Sequence, residues 1–205
     1  MKASSASSKA SSATCSRTAR SIIPDEVLAQ LDYVVASVHA VFNLPEAEMT
    51  KRIIKAISNP HVTMLGHLTG RLLLQRESYA VDIPAILDAA AETGTIIELN
   101  GNPRRLDMDW RWWSLAKSKG VKCSINPDAH HVSGFQHLWF GVALARKGWL
   151  TKADVVNCLP LGKIEKVLAA KKVAQKNECR ARAANRGADV AGDVPGCRPA
   201  RDHAR

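Results

Sequence analysis

Asp32-Tyr-Val-Val-Ala-Ser-Val-His39 decides the fold class, because so continuous an apolar run suits a strand covered on both faces, as in a parallel sheet. Working outward from it, the same pattern returns three more times. A helix is expected from about Pro45 to Ser58, with Met49, Ile53, Ile54 and Ile57 at helical spacing, before a second strand, His61-Val-Thr-Met-Leu-Gly-His67. A helix from about Asp82 to Thr93, stopped by Gly94, leads to a third strand, Thr95-Ile-Ile-Glu-Leu-Asn100. A helix from about Asp109 to Lys119, closed by Gly120, leads to a fourth, Val121-Lys-Cys-Ser-Ile-Asn126. Helices near Phe135–Arg146 and Pro160–Ala169, with a short turn at Lys152–Asn157 between them, complete the pattern. Four strand-then-helix units imply an α/β barrel or an open α/β layer around a parallel sheet.

The 205 residues, 46% of them hydrophobic, suffice for one domain with a real core. The formal net charge of +10 invites a nucleic-acid reading, but its distribution argues otherwise for the middle of the chain. Residues 1–20 carry four basic residues and no acid, and residues 169–205 carry nine against four, whereas residues 21–168 hold sixteen against fifteen. The chain therefore reads as a disordered Ser/Ala-rich leader (1–20), a folded domain (21–168) and a disordered basic tail (169–205). The Ala/Arg/Gly/Ser character of both ends looks like out-of-frame coding from a GC-rich gene, which resequencing would test. Five scattered cysteines without CxxC spacing point to a reducing cytoplasm rather than a disulfide framework or cysteine zinc site. No run of about 18 apolar residues is present, so no membrane span is expected.

In parallel α/β folds, functional side chains collect at the carboxyl ends of the strands. Three of the four expected strands lead into candidate ligands there: His39 after the first, His67 after the second, and Asp128-Ala-His130 after the fourth. Imidazole and carboxylate together suit Zn²⁺, Mn²⁺ or Fe²⁺ without any sulfur ligand. A single histidine at a strand end is more often an ordinary hydrogen-bonding loop residue, but three placements in register argue for a metal site. Arg71, four residues after His67, is a candidate to reach a phosphate. Glu98 needs a partner if it points into a barrel, and Asn100 and Asn102 are candidates to orient the ligands. Trp110, Trp112 and Trp113 could stack bases, but helix packing is the expected role. No GxGxxG, P-loop or GxSxG occurs, which leaves nucleotide-fold and serine-hydrolase classes without their signatures.

The segments Asp32–Leu44, Asn59–Arg71, Ala89–Pro103, Ile125–His130 and Gly141–Leu150 resemble the PHP phosphoesterase domain attached to bacterial family X DNA polymerases, over roughly Ile22 to Leu168. The resemblance implies a distorted (β/α)₇ barrel, of which about four βα units are here, with divalent metal at its mouth. It implies phosphoester hydrolysis at DNA 3′ ends, as a 3′–5′ exonuclease or 3′-phosphatase. By the same resemblance His39, His67, Asp128 and His130 match metal ligands, Asp128 and His130 would serve catalysis, and Arg71 would hold phosphate.

The sequence departs from that pattern in three ways. The opening His-x-His motif, a further histidine and a Gly-x-Glu are absent, so a truncated barrel with unpaired strand edges is expected, completed by an upstream polypeptide. Pro127 stands where threonine is usual, and Leu68 where proline is usual. Two other readings compete: a small-molecule phosphatase resembling histidinol phosphatase, and a non-catalytic metal-binding remnant.

Overall fold

The computed structural model describes residues 23–170 and the backbone of one further strand, Ala10–Thr14. Five strands form one parallel sheet in chain order: β1 (Ala10–Thr14), β2 (Tyr33–Ser37), β3 (Met64–Leu65), β4 (Ile96–Asn100) and β5 (Cys123–Asn126). Each strand pairs with its sequence neighbour, as in Val35 with Met64, Met64 with Ile96 and Ile97 with Cys123. The order never reverses, so there is no switch point of the doubly wound kind. This is the arrangement of a barrel segment, and it agrees with the partial barrel expected.

β2 to β5 are the four strands read from the sequence. The second is shorter than expected because its pairing is partly taken over by a side chain. Thr63 Oγ1 both accepts from the Val34 amide and donates to the Val34 carbonyl, each at 2.9 Å, before the ladder begins at Met64. Gly66 follows at a point of close approach, where a Cβ would lie 2.6 Å from Ser37 Oγ.

Two expectations are corrected. Within the segment read as a disordered leader, Ala10–Thr14 pairs with β2 along its whole length. A parallel edge needs only backbone donors and acceptors, which β2 supplies. The rest of the leader and the tail beyond residue 170 lie outside the described residues. The far edge, expected to be unpaired, is also covered. Asp154 O accepts from the Cys123 amide at 3.0 Å, and the Asn157 side chain accepts from the Ile125 amide at 3.1 Å and donates to its carbonyl at 2.7 Å.

Helices α1 (Asp25–Leu28), α2 (Glu46–Ile57), α3 (Ile83–Thr93), α4 (Trp110–Ser118) and α5 (Leu138–Lys147) alternate with the strands, and a last helix covers residues 161–170. Their ends follow the sequence signals. Asp82 caps α3 by accepting from the Ala85 amide at 3.0 Å, and Gly94 closes it at φ +66, in the left-handed region. Asp109 caps α4 in the same way. The main core joins Met49, Ile53 and Ile57 of α2, Ile86 and Leu87 of α3, Ile97 and Leu99 of β4, and Trp113 of α4. Trp113 is thus a packing residue, as expected. No helix among the described residues is long and apolar enough to cross a membrane.

Candidate active site

β4 is buried along its full length, yet it carries Glu98 and Asn100. Burying a carboxylate is costly unless donors surround it, and here they do. Glu98 accepts from the His67 backbone amide at 2.7 Å, from Asn100 Nδ2 at 3.2 Å and from Asn126 Nδ2 at 3.0 Å. The partner that the sequence required of Glu98 is therefore three neutral donors from the ends of three strands. This knot ties the carboxyl edge of the sheet together and fixes the backbone at His67.

That backbone is strained. His67 has φ +27 and Asp128 φ +50, and Leu106 between them in sequence has φ +43. Such values are uncommon outside glycine and concentrate at functional sites, where the surroundings must hold them. The Glu98 acceptor holds His67. Arg71 holds Leu106, donating from Nε to Arg105 O at 2.9 Å and from Nη2 to Leu106 O at 2.6 Å. Buried Arg52, reaching from α2, donates to the carbonyls of Ala40 and Val41 just past His39.

On this frame the Nε2 atoms of His39 and His67 face each other at 3.1 Å. Burial first, then the Arg105 guanidinium and the His39 ring, push the His67 imidazole down to about 4. His39 is lowered by burial and by Arg105, with Asp128 opposing. Both rings are thus neutral near pH 7, the state in which imidazole binds metal. His67 Nδ1 is buried without a hydrogen-bond partner.

Asp128 lies at the end of β5, its Oδ2 2.9 Å from Arg105 Nε. The two meet as charges without hydrogen-bond alignment, and Arg105 Nη1 is likewise buried without a partner. His130 sits apart, its side chain 85% exposed, with Nδ1 3.0 Å from the Asp128 carbonyl. That acceptor keeps the proton on Nδ1 and turns the Nε2 lone pair outward. An open cleft of about 330 Å³ is lined by Asp128, His130, His131, His137 and Arg104, among others.

The structure therefore brings His39 and His67 together with the Asp128–Arg105 pair beside them, and leaves His130 on the cleft wall. Arg71 is spent on backbone carbonyls. Two imidazole nitrogens bound at about 2.0–2.1 Å in a tetrahedral site lie about 3.3 Å apart, so the His39–His67 spacing fits one shared ion. No group of three or more His, Cys, Asp or Glu gathered for a metal is found among the described residues. The histidine pair fits a metal, then, whereas Asp128 faces Arg105 and His130 faces solvent.

Two residues escaped the sequence reading. Arg105 is one. The other is Asp107, a fully buried carboxyl that accepts from the Thr69 amide at 2.6 Å and is raised to about 6 by burial. The usable signal was charge just beyond the end of the third strand, in Arg104-Arg105-Leu106-Asp107, where a core segment would carry none.

No family model matches the chain. It is 41% identical over 144 residues to the DNA polymerase/3′-5′ exonuclease PolX of Bacillus subtilis, a match covering 70% of this chain and 25% of that protein. It is 31% identical over 159 residues to a probable phosphatase of Thermoanaerobacter sp., covering 73% of this chain and 62% of the relative. A probable phosphatase of Clostridium acetobutylicum is 31% identical over 116 residues, 45% of its length. The chain thus spans a quarter of the first relative and under two thirds of the second.

Proposed function

The chain belongs with the PHP-type domains of bacterial family X DNA polymerases, and from that kinship we propose that it is a metal-dependent phosphoesterase acting on DNA 3′ ends. The observation that carries the reading is the 3.1 Å approach of the His39 and His67 Nε2 atoms beside the Asp128–Arg105 pair, where the strands end. A divalent ion, manganese, zinc or iron, would be held by His39 and His67, with Asp128 and His130 the remaining donors. When bound it supplies Lewis acidity toward a phosphoryl oxygen.

The chain's own groups have separate tasks. Arg105, partly exposed beside Asp128, holds the phosphoryl oxygens. Arg71 acts behind it, fixing the Arg105–Leu106 turn. His130, exposed on the cleft wall with its Nε2 lone pair outward, is placed to turn toward the ion. Glu98 keeps His67 in its strained conformation.

A second reading, a small-molecule phosphatase, is supported by the relatives named probable phosphatases. One experiment separates the two: measure bound manganese, zinc and iron, then compare release from a 3′-labelled DNA strand with release of phosphate from histidinol phosphate. Preferential trimming of DNA supports the first reading, and preference for histidinol phosphate the second. A protein that takes up no metal and hydrolyses neither is a non-catalytic remnant.

A further inference from the structure

Residues 132–147 form a continuous helical stretch, a 3-10 turn (Val132–His137) running into α5. Its inner face is fixed by contacts too close for any larger residue. A Cβ on Gly141 would lie 2.5 Å from Ile125 Cγ2, and one on Gly101 would lie 2.6 Å from the His137 carbonyl. The stretch is thereby clamped to the ends of β4 and β5, next to Asp128. Its outer face carries large apolar side chains at alternating spacings of three and four, Val132, Phe135, Trp139 and Val142, which is one side of a helix. Phe135 is 61% exposed and Trp139 74%. Rings so exposed on a rigid support mark a binding surface rather than an accident of packing.

Charge decides what binds there. From Ala129 to Ala153 the chain has no Asp or Glu, while it has Arg146, Lys147, Lys152 and three histidines. An acid-free aromatic face suits a polyanion with flat rings. The same turn also joins the face to the candidate site, since His131, Ser133, Gly134 and His137 line the cleft with Asp128 and His130.

We propose that Phe135 and Trp139 are a stacking platform for unpaired bases of the DNA strand whose 3′ end enters the Asp128–His130 cleft. The inference rests on the phosphoesterase reading and deepens it by naming what selects DNA over a small ester. Phe135 and Trp139 are about 7 Å apart along the axis, at about 2.0 Å per residue through the end of the 3-10 turn and about 1.5 Å in α5, so adjacent bases can meet different rings. Arg146 lies two further turns along the same side and meets the backbone phosphates.

The test uses the whole chain, a short oligothymidylate, an abasic strand of equal length, and bis(p-nitrophenyl) phosphate. In the Phe135→Ala/Trp139→Ala double variant, oligothymidylate binding by anisotropy weakens by about tenfold or more for each ring removed. Binding of the abasic strand and hydrolysis of the small ester stay as in the parent, and Trp139→Phe restores most of the oligothymidylate affinity. Oligothymidylate should also quench the Trp139 fluorescence. Equal oligothymidylate binding by parent and double variant, or none by the parent, overturns the platform while leaving small-ester hydrolysis to speak for the site. A parent protein that hydrolyses neither DNA nor the small ester overturns the phosphoesterase reading itself. A double variant that shifts from dimer to monomer in sedimentation shows the face to be a protein interface, and overturns the proposal too.

Discussion

His39 and His67, 28 residues apart in sequence, present their Nε2 atoms to each other at 3.1 Å across the ends of two neighbouring strands. Two neutral imidazoles so placed share at most one proton, and an ion between them would shift it to the Nδ1 of its own ring. Metal binding at pH 7 should therefore release no proton from the pair, and affinity should fall as pH drops toward 4, where His67 takes up a proton. Calorimetry in two buffers of different ionisation enthalpy, repeated at lower pH, should show both, and His39→Ala and His67→Ala should each weaken zinc affinity by about a hundredfold. Unchanged affinity in both variants would move the metal elsewhere.

The loop that carries Arg105 separates two arginines by task. Arg71→Met removes two charged hydrogen bonds to the carbonyls of Arg105 and Leu106 and should cost about 2–3 kcal/mol of stability in urea denaturation. Arg105→Met should leave stability closer to the parent value and lower the affinity for inorganic phosphate by about tenfold. The reverse assignment of losses would restore the sequence expectation that Arg71 is the phosphate ligand.

How much of this was legible beforehand follows from what local sequence encodes. The apolar runs of β2 and β4 and the Asp82 and Gly94 signals around α3 gave strands and helices close to those observed. They also brought His39 and His67 to one edge, because strand ends converge in any parallel sheet. Arg105 was not legible, since its role depends on the left-handed turn at Leu106 and on the Arg71 contacts, both tertiary. The covered edges were hidden for a related reason: Asn157 caps β5 from a 3-10 turn 32 residues away, and β1 pairs through its backbone, which residue type does not announce. His130 resisted in another way. Its ring lies 4.0 Å from the Asp128 carboxylate, as the two-residue spacing suggested, but the spacing gave no sign that the ring would be 85% exposed.

Two buried groups give opposite pH dependences. His67 titrates near 4 in the fold against 6.5 ordinarily, so its contribution is present above pH 6.5 and drains away as pH falls toward 4. Asp107 is raised from 3.8 to about 6, so its contribution is complete below pH 3.8 and is lost as pH rises to about 6. In chelator, Asp107→Asn should be more stable than the parent above pH 6, by on the order of 2 kcal/mol, and gain nothing at pH 3.8. Denaturation curves at the two pH values decide it, and an equal difference at both would rule out the titration.

The covered edge of β5 can be opened by one change. Asn157→Leu removes the bond from the Ile125 amide and the bond to its carbonyl. The expected loss is about 1–3 kcal/mol, with new self-association on light scattering as the bare edge pairs between molecules. A variant that stays as soluble as the parent would show that the edge is protected by something else.

Whether His39, His67 and Asp128 act as one hydrolytic site is tested by single-turnover release of the terminal group from a 3′-labelled DNA strand, using the purified whole chain in manganese with Asp128→Ala beside it. Release should be abolished by chelator and fall at least a hundredfold in the variant. Equal rates from parent and Asp128→Ala would put the hydrolysis outside this site.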